Sequence, residues 1–239
     1  MSRSQRDLPH YIEHTCLRKD TTKEHIAKLC GEALQYGFFG VCVPLEFVAD
    51  AKQHLEGAQT QIITVVGFPT GEEPSQQKEA QTRQAVEAGA SEVDMVLCRS
   101  RLLARDYQYV LDDVKRVVNE ARARRVKVIL ETSELSYEHI IVASCLAVAA
   151  GAAFLKTSTG FAPGGGGATV EAVTLMRQWA PNHVGIKASG GIAHWEQAQK
   201  LILAGASRLG CSRSLTLLEE AQLGAAAGTP SQATSRESV

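Results

Sequence analysis

Two short runs of the sequence share a pattern that bears on covalent chemistry. Lys156-Thr157-Ser158-Thr159-Gly160 and Lys187-Ala188-Ser189-Gly190-Gly191 both read K-x-S-x-G. They are separated by about the length of one strand–helix unit, which sets the two lysines on neighbouring strands. A lysine that attacks a carbonyl must be partly neutral near pH 7, although its unperturbed pKa is about 10.4. Lowering that value by about 3 units takes about 4 kcal/mol. A second ammonium about 4 Å away supplies about 4 kcal/mol at an effective dielectric of about 20. On these numbers one cationic neighbour suffices to prepare an imine-forming lysine.

A second chemistry lies beside the first. Gly190-Gly191 and Gly210-Cys211-Ser212 are glycine-rich turns expected after two successive strands. Backbone N–H groups at such turns, with a helix N-terminus behind them, bind phosphate. Ser212 can donate its hydroxyl and Arg213 can add charge. Together the lysines and turns suggest a small phosphorylated carbonyl substrate.

The elements that must hold these residues are legible as an alternation. Strand-like runs fall at 11–15, 38–43, 61–67, 91–97, 125–131, 152–157, 183–188 and 206–211. Helix-like stretches fall at 21–36, 46–56, 74–89, 106–124, 137–150, 168–180, 194–204 and 212–222. Thr21 or Thr22, and Thr169, read as N-caps, and Gly37, Gly57, Gly89, Gly151 and Gly205 as helix stops. Eight strand–helix units predict an α/β fold, a single-domain (β/α)8 TIM barrel over 11–223. Residues 1–10 read as an N-terminal extension, and 224–239 as a disordered tail. A doubly wound open sheet is the alternative, but no dinucleotide fingerprint follows the first strand.

Barrel strands are covered outside and filled inside, so charges within them stand out. Period-two parity puts Val93, Met95 and Leu97 on one face and Asp94 on the other. The same parity sends Lys127, Glu131, Lys156 and Lys187 inward, opposite apolar neighbours that must meet the helices. Lys127, low on its strand, reads as an internal salt-bridge partner. Glu131 could be that or a functional group. Lys156, Lys187 and Asp94 are harder to explain as structure, because burying an unpaired ammonium costs several kcal/mol. His14 reads as structural or as a secondary substrate contact, and Cys42 as small packing at a strand end.

Composition excludes several classes. The 239 residues are 44% hydrophobic and 21% charged, which argues against disorder and fibrous repeats. The formal net charge of -1 gives no basic footprint for nucleic acid. No apolar run is long enough to span a membrane, and the N-terminus lacks a signal-peptide core. The cysteines, Cys16, Cys30, Cys42, Cys98, Cys145 and Cys211, show no C-x-x-C pair and no zinc-type spacing. Reduced thiols in a cytoplasmic protein are the simplest expectation.

The segments Thr64-Val65-Val66-Gly67-Phe68-Pro69, Glu92-Val93-Asp94-Met95-Val96, Val128-Ile129-Leu130-Glu131-Thr132, Phe154-Leu155-Lys156-Thr157-Ser158-Thr159-Gly160-Phe161, Gly167-Ala168-Thr169-Val170-Glu171 and Lys187-Ala188-Ser189-Gly190-Gly191-Ile192 together resemble the deoxyribose-phosphate aldolase family. The likeness runs in order from about residue 11 to residue 218. It implies a class I aldolase that needs no cofactor or metal and cleaves 2-deoxy-D-ribose 5-phosphate to D-glyceraldehyde 3-phosphate and acetaldehyde. By the resemblance, Lys156 is the Schiff-base lysine and Lys187 lowers its pKa. Asp94 works with an ordered water as acid and base. Gly160, Gly190, Gly191, Gly210 and Ser212 contact phosphate, and Glu13 and Cys42 stand at substrate-contacting positions. The family is cytoplasmic and oligomeric, often dimeric. The chain departs from the pattern at Glu13 (Asp is usual), Val43-Pro44-Leu45, the longer 161–167 loop, Ala193 (Arg is common) and Arg213. A Schiff-base lyase for a related aldehyde phosphate and a non-catalytic phosphometabolite-binding barrel remain alternatives at this level.

Overall fold

The computed structural model describes residues 7–227. Eight parallel strands close into a barrel in chain order, with β1 hydrogen-bonded to both β2 and β8. They are β1 (Ile12–Thr15), β2 (Gly40–Val43), β3 (Gln61–Val66), β4 (Glu92–Val96), β5 (Arg125–Ile129), β6 (Phe154–Lys156), β7 (Gly185–Ser189) and β8 (Arg208–Cys211). Around them run α1 (Leu8–Tyr11), α2 (Lys23–Tyr36), α3 (Val48–His54), α4 (Ser75–Ala88), α5 (Arg99–Leu103), α6 (Tyr107–Glu120), α7 (Tyr137–Ala149), α8 (Val170–Trp179), α9 (Trp195–Leu203) and α10 (Ser214–Ala227). The chain is a (β/α)8 barrel.

Strand parity builds the main core. Val93, Met95, Val126, Val128, Leu155, Val184, Ile186 and Ala188 are all buried between sheet and helices. The inward residues of β2 and β3 form a separate small apolar cluster, Cys42, Ile63 and Val65, inside the barrel. The interior is thus apolar on the β2–β3 side and charged on the other.

Helix ends follow local chemistry. Thr22 Oγ1 accepts from His25 N at 3.4 Å, and the His25 ring accepts from Thr22 N at 3.2 Å. Thr169 Oγ1 accepts from Ala172 N at 3.1 Å, so both threonines satisfy otherwise orphaned helical N–H groups. Gly37 and Gly89 close their helices with φ of 66° and 106°, a conformation that favours glycine.

Four expectations shift. The first helix begins before residue 11: Leu8 is fully buried and Phe39 N donates to Pro9 O at 3.0 Å, tying the segment to the barrel. The last helix continues past 223 to Ala227; the rest of the expected tail lies outside the described residues. The stretch 106–124 ends as a helix at Glu120, because Arg122 and Ala123 take positive φ in a turn before β5. The strand expected at 125–131 stops at Ile129, with consequences for Glu131.

Candidate active site

β6 and β7 run in register with Lys156 beside Lys187, and β4 and β5 with Asp94 beside Lys127. Barrel closure then brings in β1 and β8. Asp94 is the hub. Its Oδ2 accepts from Lys156 Nζ at 2.8 Å and from Lys187 Nζ at 2.6 Å, and its Oδ1 from Lys127 Nζ at 2.9 Å. Because both catalytic-candidate ammonium groups sit on one oxygen, they are near neighbours. Lys187 also donates to Glu13. Below this layer Lys127 meets Glu92 at 2.6 Å and Glu13 at 3.3 Å. Arg208 donates to Glu13 at 2.9 Å and Glu92 at 3.4 Å, and stacks on Phe39 and Phe154.

Among the described residues this interior network holds four cations (Lys127, Lys156, Lys187, Arg208) and three carboxylates (Glu13, Glu92, Asp94), all buried. Arg125 reaches Glu92 at 3.7 Å only from the exposed side. A buried charge without a partner is costly, so the surplus cation is relieved if one of the four gives up its proton. The geometry selects Lys156. Burial is the largest cause lowering its pKa, Asp94 opposes, and the Lys187 ammonium lowers it further, for a net downward shift. Burial also acts against the Lys187 charge, but Asp94 and Glu13 outweigh it and hold Lys187 protonated. Burial likewise penalises the Asp94 charge, yet the Lys127, Lys156 and Lys187 ammonium groups keep its carboxyl well below the ordinary range. The sequence arithmetic credited the second lysine alone. Desolvation proves the larger cause, because Lys156 is 3% exposed.

A cavity of about 720 Å³ opens over the C-terminal strand ends. Of the four interior cations only Lys156 lines it. Gly160, Gly190, Gly191, Gly210 and Ser212 all line it too, with Arg213 at the rim. Positive φ at Gly190 and Gly191, 86° and 71°, turns the backbone there, and a side chain on Gly190 would come within 3.0 Å of Gly167 Cα. Gly210 has a further use: a Cβ there would stand 3.0 Å from Lys187 Cε, so the missing side chain leaves room for that lysine.

Other expected residues fall elsewhere. Glu13 and Cys42 are fully buried and do not line the cavity. Glu13 acts on Lys187 from below. Burial pushes the Cys42 thiol up to about 11, so it is uncharged and unreactive near neutrality. Asp94 also lies beneath the cavity lining, with both oxygens accepting from ammonium groups. His14 lines the cavity but has both ring nitrogens engaged, by Ser214 Oγ at 2.9 Å and Glu32 Oε2 at 2.8 Å, which makes it a structural tie.

Glu131 does not join the inward charges. The strand has ended two residues earlier, and Glu131 takes a φ of 59°. Its carboxylate turns to the loop after β6 and accepts from Thr159 N at 3.1 Å and from Thr159 Oγ1. Glu92 and Arg208 were not singled out from the sequence. Glu92 has the same strand parity as Asp94, and Arg208 that of Gly210, so period two could have found both. Among the described residues no group of three His, Cys, Asp or Glu side chains is placed to hold a metal ion.

The chain is similar to known aldolases over most of its length. The model of the DeoC/LacD family aldolase matches residues 10–227. The deoxyribose-phosphate aldolase of Thermococcus gammatolerans is 47% identical over 220 residues, 90% of this chain and 97% of that protein. That of Coprothermobacter proteolyticus is 45% identical over 212 residues, 89% of this chain and 96% of its own. The solved structure of deoxyribose phosphate aldolase from Aeropyrum pernix, described as a unique tetramer, superposes with a TM-score of 0.83 at 30% identity, covering 90% of this chain and 91% of that one.

Proposed function

The chain belongs to the DeoC/LacD family of aldolases, and from that premise we propose that it cleaves 2-deoxy-D-ribose 5-phosphate reversibly through an imine on Lys156. The products are D-glyceraldehyde 3-phosphate and acetaldehyde. A lysine Schiff base is general to this family. The observation that carries the assignment to Lys156 is its position: it is the interior cation that reaches the cavity, and the one whose amine burial and Lys187 make easiest to deprotonate.

The steps follow from the site. The neutral Lys156 amine adds to the aldehyde carbon of the open-chain sugar, and loss of water gives an iminium. The C2–C3 bond breaks, its electron pair passing to the iminium as an enamine, while the C3 hydroxyl loses its proton and becomes the aldehyde of the three-carbon product. Protonation of the enamine at C2 and hydrolysis release acetaldehyde and restore the amine. Ionised Asp94, 2.8 Å from Lys156 Nζ, offsets the iminium charge as it forms. Asp94 is a weak base with both oxygens occupied, so any proton it helps to move travels through water or the Lys187 ammonium. The glycine turns and Ser212 hold the phosphate away from the breaking bond, where binding energy serves positioning.

Borohydride reduction in the presence of deoxyribose 5-phosphate, followed by mass mapping, tests this reading. The expected result is one reduced adduct on Lys156. An adduct on another lysine, or ligand binding without any adduct, overturns it. Turnover of other aldehyde phosphates in preference to deoxyribose 5-phosphate would move the substrate assignment and leave the chemistry standing.

The tetrameric relative supports self-association, and a homodimer is the assembly proposed here. Light scattering is expected to give twice the chain mass; a monomer or a higher multiple refutes the dimer. A cytoplasmic setting is proposed on the six unpaired cysteines; a disulfide in the isolated protein would count against it. No helix among the described residues is long and apolar enough to cross a membrane.

A further inference from the structure

Lys127 lies a layer below the cavity and cannot touch substrate, yet it completes the arrangement above it. Its Nζ is fully buried and meets three carboxylates: Asp94 at 2.9 Å, Glu92 at 2.6 Å and Glu13 at 3.3 Å. It occupies the Asp94 oxygen that Lys156 and Lys187 leave free. Asp94 is thereby fixed from both sides and cannot turn a second oxygen toward Lys156. The charge count gives Lys127 a second effect. With Lys156 neutral, three cations face three carboxylates. Without Lys127, two permanent cations would face three carboxylates, and the network would then favour a proton on Lys156.

We propose that Lys127 is a positioning residue of the reaction, and that the charge it adds, balanced by Glu92, decides that Lys156 is the interior cation left without a proton. This inference rests on Lys156 as the nucleophile. The groups facing Lys156 from the surrounding strands are Glu13 on β1, the uncharged Cys42 thiol on β2, Asp94 and Glu92 on β4, Lys127 on β5, Lys187 on β7 and Arg208 on β8. The inward side chains of β3, Ile63 and Val65, are apolar. Among the described residues no other charged group in the barrel interior compensates for the loss of Lys127.

The test compares two near-isosteric substitutions of opposite sign, Lys127→Met and Glu92→Gln. The readout is the pH dependence of kcat/KM and of borohydride trapping at Lys156. Activity needs the free amine, so the rate rises with pH through the Lys156 pKa. Removing a cation raises that pKa, and the acid limb of Lys127→Met is expected to move to higher pH by roughly one to two units, the scale of one charge acting across the shared Asp94 carboxylate at an effective dielectric of about 20. Removing the more distant carboxylate lowers it, and the limb of Glu92→Gln is expected to move the other way by roughly half a unit to one unit. General damage to the barrel would lower both rates without sending the two limbs apart. Limbs that stay put or move together overturn the inference. Should Lys127→Met fail to fold, the downward shift in Glu92→Gln is still required, and an unmoved limb there overturns it. A wild-type protein that traps no adduct on Lys156 removes the proposed function and this inference together. An adduct with wrong-signed shifts removes only this inference.

Discussion

Lys156→Met is expected to lose cleavage by about four orders of magnitude or more, while the barrel keeps its stability to within about 1 kcal/mol. The first half follows from covalent chemistry: among the described residues no other amine of the barrel interior reaches the cavity. Lys187 is sealed by Glu13 and Asp94 and held protonated, so it cannot substitute as nucleophile. The second half follows from charge. Truncating one member of a buried ion pair usually costs about 3–5 kcal/mol, because the partner is stranded. Here Asp94 keeps Lys127 and Lys187, and three cations remain against three carboxylates. Methionine nearly matches the lysine stem in volume, so little cavity is opened. Activity and denaturant unfolding, measured on the same preparation, check both halves. Retained cleavage would remove Lys156 from the chemistry. A loss of several kcal/mol would mean that its charge is part of the frame, and that the surplus proton is missing from another group.

That distinction between chemistry and frame shows what was readable in the sequence. Parity found Lys156, Lys187, Asp94 and Lys127 because each sits within an extended strand, where alternate side chains must face opposite ways. It failed for Glu131, where the backbone had already left the extended region. Loop positions such as Gly190, Gly191 and Ser212 were legible through backbone demands and placement after a strand. The partners that decide charge were not. Glu13 and Lys187 are 174 positions apart in the chain, and Glu13 and Arg208 are 195 apart; only closure of β1 on β8 brings them together. Glu92 and Arg208 lie at the N-terminal ends of their strands, where a charged residue reads equally well as solvated.

The same closure explains why two-body arithmetic on the lysines was incomplete. Four cations and three carboxylates share one dry interior, and the protonation state of each depends on all the others. Glu13 shows this. At a position the resemblance associates with substrate, it lies under the cavity and anchors Lys187. Its carboxyl is destabilised by burial but held below the usual range by Lys127 and Lys187. A longer carboxylate at this position therefore bears first on the charge of Lys187, and through it on Lys156.

Asp94→Asn is expected to separate imine formation from cleavage. The amide removes the negative charge on which three ammonium groups converge, leaving four possible cations against two carboxylates. Lys156 then holds its proton less firmly than in the unaltered protein, so borohydride should still trap an adduct there, and at lower pH than before. Turnover should nonetheless fall by about a thousandfold, because the charge that offsets the iminium and orders the proton path is gone. Stability should fall by about 3–5 kcal/mol near neutral pH, the cost of stranding buried cations. The pH dependence of that loss fixes its origin. Asp94 has a folded pKa well below its ordinary value near 3.8, so its contribution is complete above that value and disappears as pH falls through the folded pKa. The gap in unfolding free energy between the two proteins should therefore narrow as pH falls below about 4. A gap that does not narrow in acid would mean that the asparagine disturbs packing and not charge. A variant that neither traps nor turns over would place Asp94 in imine formation itself.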